Sequence, residues 1–127
     1  MTLAWHTLID YHDCDSARLT DPGGLRTVLL EAISAAGGTY VTDVFHQFSP
    51  HGLSGVVVIA ESHVAIHTWP EHRFAAVDIF SCSPSLDQEA VIVRLGAWLG
   101  AEWRRIDPRE RGLHVHRAPT DCGKKDG

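Results

Sequence analysis

Three short apolar runs in this chain carry a hydroxyl, imidazoles, carboxylates and a thiol close together. Ser54 opens the run Val56 to Ala60, which leads straight into Glu61-Ser62-His63; His67 follows four residues after His63, Glu71 comes two after Trp69, and Cys82 closes the next run. A serine held against the preceding carbonyl can attack it and turn the amide into an ester. β-Elimination then breaks the chain and leaves a dehydroalanine, which hydrolyses to an N-terminal pyruvoyl group. That ketone can form a Schiff base with a substrate amine, as in covalent catalysis, and the imine draws electrons from the substrate Cα so that a carboxylate can leave. Taken alone, the dipeptide favours an ordinary turn hydroxyl.

The neighbouring groups admit roles in such a site and ordinary readings beside them. His67 suits proton transfer, because elimination needs a base near the Ser62 Cα. His63 reads equally as a hydrogen-bonded structural imidazole. The spacing of the two histidines would pair them on a helix, but Val64, Ile66 and the closing Pro70 argue for a strand, and no third ligand stands at a convincing distance, so no metal is expected. Ser54 can serve a turn or donate to the scissile carbonyl. Cys82 can be a small buried apolar group or a proton donor to a decarboxylated carbon. Phe48 reads as core and Glu71 as a turn charge unless a ligand gives them more to do.

The elements that must hold these groups are legible. Trp5 to Tyr11 forms a first strand. Asp21-Pro22 opens a helix, with Leu25, Val28, Leu29, Ala32, Ile33 and Ala36 in one apolar stripe, and Gly37-Gly38 ends it. Tyr40 to Phe48, Ser54 to Ala60 (read as fully buried), Val64 to Trp69 and Phe74 to Ser81 follow as strands with short connections, which favours antiparallel pairing. Ser85-Leu86-Asp87-Gln88 has the capping-box pattern for a second helix carrying Val91, Leu95, Trp98 and Leu99. Gly100 stops it, and Glu102 to Ile106 makes a last strand. The expected fold is α+β: a two-layer sandwich, an antiparallel sheet with two helices on one face. Residues 1–110 are expected to form one domain and residues 111–127 a flexible tail.

Composition narrows the partners. The chain has 127 residues, 44% hydrophobic and 21% charged, with a net charge of −5. There is no basic run, so nucleic acid is a poor partner and a cationic small molecule a better one. Three widely spaced cysteines make neither a disulfide framework nor a CxxC knuckle; free thiols and no signal peptide point to the cytoplasm. Val56 to Ala60 is far too short to span a bilayer, so no membrane partner is expected.

From Phe45-His46-Gln47-Phe48 through Gly52-Leu53-Ser54-Gly55-Val56-Val57, Glu61-Ser62-His63, Ile66-His67-Thr68-Trp69-Pro70-Glu71-His72, Ala75-Ala76-Val77-Asp78 and Ser81-Cys82, the chain closely resembles the prokaryotic S-adenosylmethionine decarboxylases, pyruvoyl enzymes made as proenzymes. The resemblance spans roughly residues 3 to 106. It implies self-cleavage between Glu61 and Ser62 into chains 1–61 and 62–127, with Ser62 becoming the pyruvoyl group. It also implies Ser54 and His67 as processing residues, Cys82 as proton donor, Phe48 stacking on the adenine and Glu71 binding the ribose hydroxyls. The family fold is a two-layer sandwich, and its small bacterial members are homodimers with sites at the interface. The activity implied is formation of decarboxylated S-adenosylmethionine for spermidine synthesis.

The chain departs from the family pattern in places: Trp5 precedes His6 where an Arg is usual, Asp10 stands for a Glu on a substrate-proximal strand, Arg73 for a Gly and Phe74 for a Tyr. Relatives act on ornithine or arginine by the same chemistry, and Asp10 favours that alternative, whereas Phe48 and Glu71 favour the nucleoside. A non-catalytic regulatory paralogue would be expected to lose Ser62, His67 or Cys82, and all three are present.

Overall fold

The computed structural model describes residues 2–115. Six strands form one sheet in the order β2-β3-β4-β5-β1-β6: β1 Ala4–His12, β2 Tyr40–Gln47, β3 Leu53–Ile59, β4 Ser62–Trp69, β5 Phe74–Ser81 and β6 Trp103–Arg111. Every neighbouring pair is antiparallel. Helices α1 (Pro22–Ala35) and α2 (Gln88–Leu99) pack on one face. The fold is the two-layer α+β sandwich the patterning predicts.

Period-2 alternation decides which side chains meet the helices. Ile9, Tyr11, Val57, Ile59, Val64, Ile66, Val77 and Ile79 are buried against Leu25, Leu29 and Ile33 of α1 and Val91, Ile92, Leu95 and Leu99 of α2. Tyr11 donates from its buried hydroxyl to the Ile92 carbonyl at 2.7 Å, pinning β1 to α2. Gly55 lies opposite Phe45, and a Cβ there would meet the Phe45 ring at 2.3 Å. The glycine is therefore the space into which that aromatic ring lies. The run from Ser54 is not fully buried as its composition suggests: it alternates, and Val58 opens onto the uncovered face.

Both helix starts are capped by aspartate. Asp21 accepts from the Gly24 N–H at 2.9 Å. In α2 the cap is Asp87, accepting from Ala90 N–H at 3.1 Å, rather than the Ser85 that the box pattern suggests. Gln88 turns instead to the sheet, accepting from the Thr7 hydroxyl at 2.6 Å and donating to the Trp5 carbonyl. Gly100, at φ +67°, ends the helix. The last strand runs past Pro108 to Arg111, longer than its composition suggests. An edge strand tolerates a proline, because one of its two sides has no ladder to supply. Arg111, the first residue of the expected tail, is thus in the sheet, and residues 116–127 lie outside the described residues.

Among the described residues, the second face of the sheet carries no helix. Leu8, Val44, Val58, Trp69 and Trp103 are exposed on it. At one end an aromatic row crosses four strands: Trp69 to Phe74 at 5.5 Å, Phe74 to His12 at 5.1 Å, and His12 stacked on Trp103 at 3.8 Å.

Candidate active site

The residues singled out in the sequence fall into two groups. The first stands on the uncovered face. Ser54 on β3 and His67 on β4 are direct cross-strand partners, with Ser54 Oγ 2.7 Å from His67 Nδ1. Register extends their row through Ala76 on β5 to Asp10 on β1. Asp10 therefore faces the same side as His67, two strand spacings away, about 10 Å, with only an alanine methyl between them.

Thr68 sets the direction of its neighbours. Its buried hydroxyl donates to Leu19 O at 2.8 Å and accepts from Leu53 N–H at 3.0 Å. With Thr68 locked into the helix side, alternation turns His67 and Trp69 outward.

A cavity of about 260 Å³ opens beside this pair, lined by Phe48, His51, Ser54, His67, Trp69 and Glu71 among others. Phe48 N–H bonds to Gly52 O at 2.9 Å and closes the β2–β3 loop. Gly52 lies at φ +97°, and a Cβ there would press to 3.0 Å from the Thr68 carbonyl, so only glycine fits. The His46 and Phe48 rings meet in a T-shaped contact with centroids 4.6 Å apart. Glu71 sits on the 3-10 turn Pro70–His72, its Oε2 3.1 Å from His51 Nε2. Arg73 ends that turn at φ +50°, a left-handed conformation suited to the glycine usual there. Its guanidinium donates to the Cys14 and Asp13 carbonyls at 2.8 and 3.1 Å, which offsets the backbone cost.

The second group stands at the opposite end of β4. Ile59 pairs with Ser62 across a two-residue turn, Ala60-Glu61. Glu61 lies at φ +67°; for a residue with a Cβ that backbone costs on the order of 1–3 kcal/mol. The strained residue is the one that carries the carbonyl preceding Ser62. Ser62 points to the helix side, buried, its hydroxyl donating to Ser81 Oγ at 2.8 Å, and Ser81 donates on to the Ser83 carbonyl. Cys82 Sγ lies 2.9 Å from the Glu61 carbonyl oxygen. The expectation of free thiols needs correcting here: Cys82 is disulfide-bonded in this structure, and a sulfur so bonded has no proton to give, so a donor role belongs to the reduced chain. Cys14 is a free, fully buried thiol.

Within one chain, then, His67 is not beside Ser62. Five residues of strand, about 16 Å, separate them, and they face opposite sides of the sheet. His51 and Ser81 were not singled out in the sequence. Ser81 reads there as a strand end, and only the tertiary contacts single the two residues out. Among the described residues, no group of three or more His, Cys, Asp or Glu side chains is arranged to hold a metal ion, and no helix is long and apolar enough to cross a membrane.

The chain is similar to known proteins over most of its length. A family model described as S-adenosylmethionine decarboxylase matches residues 5–112. The S-adenosylmethionine decarboxylase proenzyme of Pseudomonas paraeruginosa is 46% identical over 110 residues, 87% of this chain and 69% of that one. The proenzyme of Thermodesulfovibrio yellowstonii is 39% identical over 115 residues, 91% of this chain and 85% of that one. The crystal structure of the adenosylmethionine decarboxylase of Aquifex aeolicus superposes with a TM-score of 0.81 at 32% identity, covering 94% of this chain and 98% of that one. The Trypanosoma brucei AdoMetDC-delta26 monomer shares the fold at a TM-score of 0.59 and 15% identity, over 81% of this chain and 44% of that one. A family match spanning nearly the whole described chain, on the same sheet and helices, means that this chain belongs to the S-adenosylmethionine decarboxylase family.

Proposed function

We propose that this chain is a self-processing, pyruvoyl-dependent decarboxylase that acts on S-adenosylmethionine as a homodimer with composite sites. The observation that carries the reading is the turn before Ser62. A left-handed Glu61 presents the carbonyl, the hydroxyl that would attack it is on the next residue, and the Cys82 sulfur lies 2.9 Å from that carbonyl oxygen. The Ser62 hydroxyl adds to the Glu61 carbonyl carbon, the peptide C–N bond breaks, and an ester forms. Loss of the Ser62 α-proton then expels the Glu61 carboxylate. Water replaces the nitrogen, which leaves as ammonia.

The proton transfers need a base, and in one chain His67 is too far away. A second copy resolves this. Docked on the uncovered sheet face, where Leu8, Val58 and Trp69 are exposed, it brings its Ser54–His67 pair to the Glu61-Ser62 turn of the first chain. Burial of such apolar surface supplies the driving force for association. Ser54 donates to the developing oxyanion, and His67, hydrogen-bonded to it, takes up the proton.

The residues at position 62 fit the pyruvoyl group: it arises there from the serine itself, with Ser81 and Cys82 adjacent. Its carbonyl supplies the electron sink that lets an α-amino acid lose its carboxylate. Phe48 offers a half-exposed aromatic face for the adenine, and Glu71 offers a carboxylate to the ribose hydroxyls. Cys82, when reduced, returns a proton to the substrate carbon. Denaturing gels and intact mass of the purified protein test the proposal. The expected products are chain 1–61 and a chain from position 62, blocked to N-terminal sequencing and lighter than its serine form by one ammonia. Cleavage of Ser62→Ala protein at the same bond would overturn it.

A further inference from the structure

His51 Nε2 lies 3.1 Å from Glu71 Oε2, and both side chains line the cavity that holds Phe48, Ser54 and His67. We propose that His51 is a positioning residue for the Glu71 carboxylate and sets the affinity for the nucleoside half of the substrate, a role that rests on the reading of Glu71 as the ribose acceptor. Both partners come from backbone already held in place. His51 is on the loop closed by the Phe48–Gly52 bond, and Glu71 is on a 3-10 turn closed by the bond from Arg73 N–H to Pro70 O.

A carboxylate on a three-torsion side chain at a cavity mouth samples many orientations. An imidazole within ion-pair distance of Oε2 narrows those orientations and leaves Oε1 to accept from a vicinal diol. The two side chains are 44% and 41% exposed, so the pair adds little to folding stability. Its effect falls on ligand recognition.

The test is a double-mutant cycle on the purified, self-cleaved protein with S-adenosylmethionine. His51→Ala is expected to raise KM roughly three- to fivefold, the scale of one exposed charged pair, with kcat, the extent of self-cleavage and the unfolding midpoint unchanged. His51→Gln, whose amide reaches Glu71 with a donor, is expected to recover part of the loss. In a Glu71→Ala background, His51→Ala is expected to add nothing. A KM unchanged in His51→Ala while Glu71→Ala raises it overturns the role of His51 alone. An equal rise in both backgrounds does the same. A KM unchanged in Glu71→Ala removes the ribose reading of Glu71 and the positioning role with it.

Discussion

Ser62 and His67 lie on one strand but on opposite faces of the sheet, Ser62 buried toward the helices and His67 exposed on the uncovered side. The hydroxyl of the first points to Ser81 and the imidazole of the second to Ser54. Within one chain the two groups do not meet, which is the gap that the proposed second copy would close.

Intersubunit complementation follows from this separation. His67→Ala protein alone is expected to stay largely uncleaved, and Ser62→Ala protein cannot form the ester. Co-expressed, they give a heterodimer in which intact Ser62 of one chain meets intact His67 of the other. One of the two composite sites is restored, and the His67→Ala chain is cleaved. Differently tagged chains on a denaturing gel read this out. No cleavage in the mixed dimer, with a dimer confirmed by light scattering, would sink the composite site.

Phe48 should matter to a nucleoside and not to a simple amino acid. Its ring stands half exposed in the cavity, in a T-shaped contact with His46. Replacing Phe48 by alanine removes a stacking face worth about 0.5–1.5 kcal/mol beyond its buried area, so KM for S-adenosylmethionine should rise roughly three- to tenfold. Any turnover of ornithine or arginine should respond little. Equal losses on both kinds of substrate would return Phe48 to a structural role, and efficient turnover of ornithine or arginine with none of S-adenosylmethionine would shift attention to Asp10.

Cys14 makes a prediction about stability. It is fully buried, and burial pushes its thiol up to about 11 from 9.0. The folded chain thus holds this proton more tightly than the unfolded chain. The associated stability is complete below the unfolded value and is lost as pH rises through the folded one; acidification does not touch it. Urea unfolding from pH 8 to 11 should show a decline for the wild type that is shallower in Cys14→Ala, although the alanine variant starts less stable for the small cavity it leaves. Parallel declines would show that other groups carry the alkaline loss.

Much of this molecule was legible in its residues because local rules were enough. Asp21-Pro22 starts α1 and Gly100 ends α2, since each acts through its own backbone neighbours. Alternation in Val64–Trp69 and Phe74–Ser81 places those strands, and short connections make them antiparallel. The Glu61-Ser62-His63 run with Ser54, His67 and Cys82 carried the family resemblance, because these residues match the family's motif. Where a neighbour remote in sequence competes, local rules gave way. Gln88 left its box pattern for Thr7 and Trp5, and Asp87 took the cap.

What only the tertiary structure decided is which groups meet. Sequence spacing brings Ser62 and His67 within five residues, yet a strand turns that spacing into about 16 Å and, because the spacing is odd, into opposite faces. Pairing does the reverse for Ser54 and His67, thirteen residues apart and 2.7 Å in contact. The same folding back of β3 on β4 carries His51 to Glu71. Contacts of this kind depend on register, and register is set by which face of every strand the core claims.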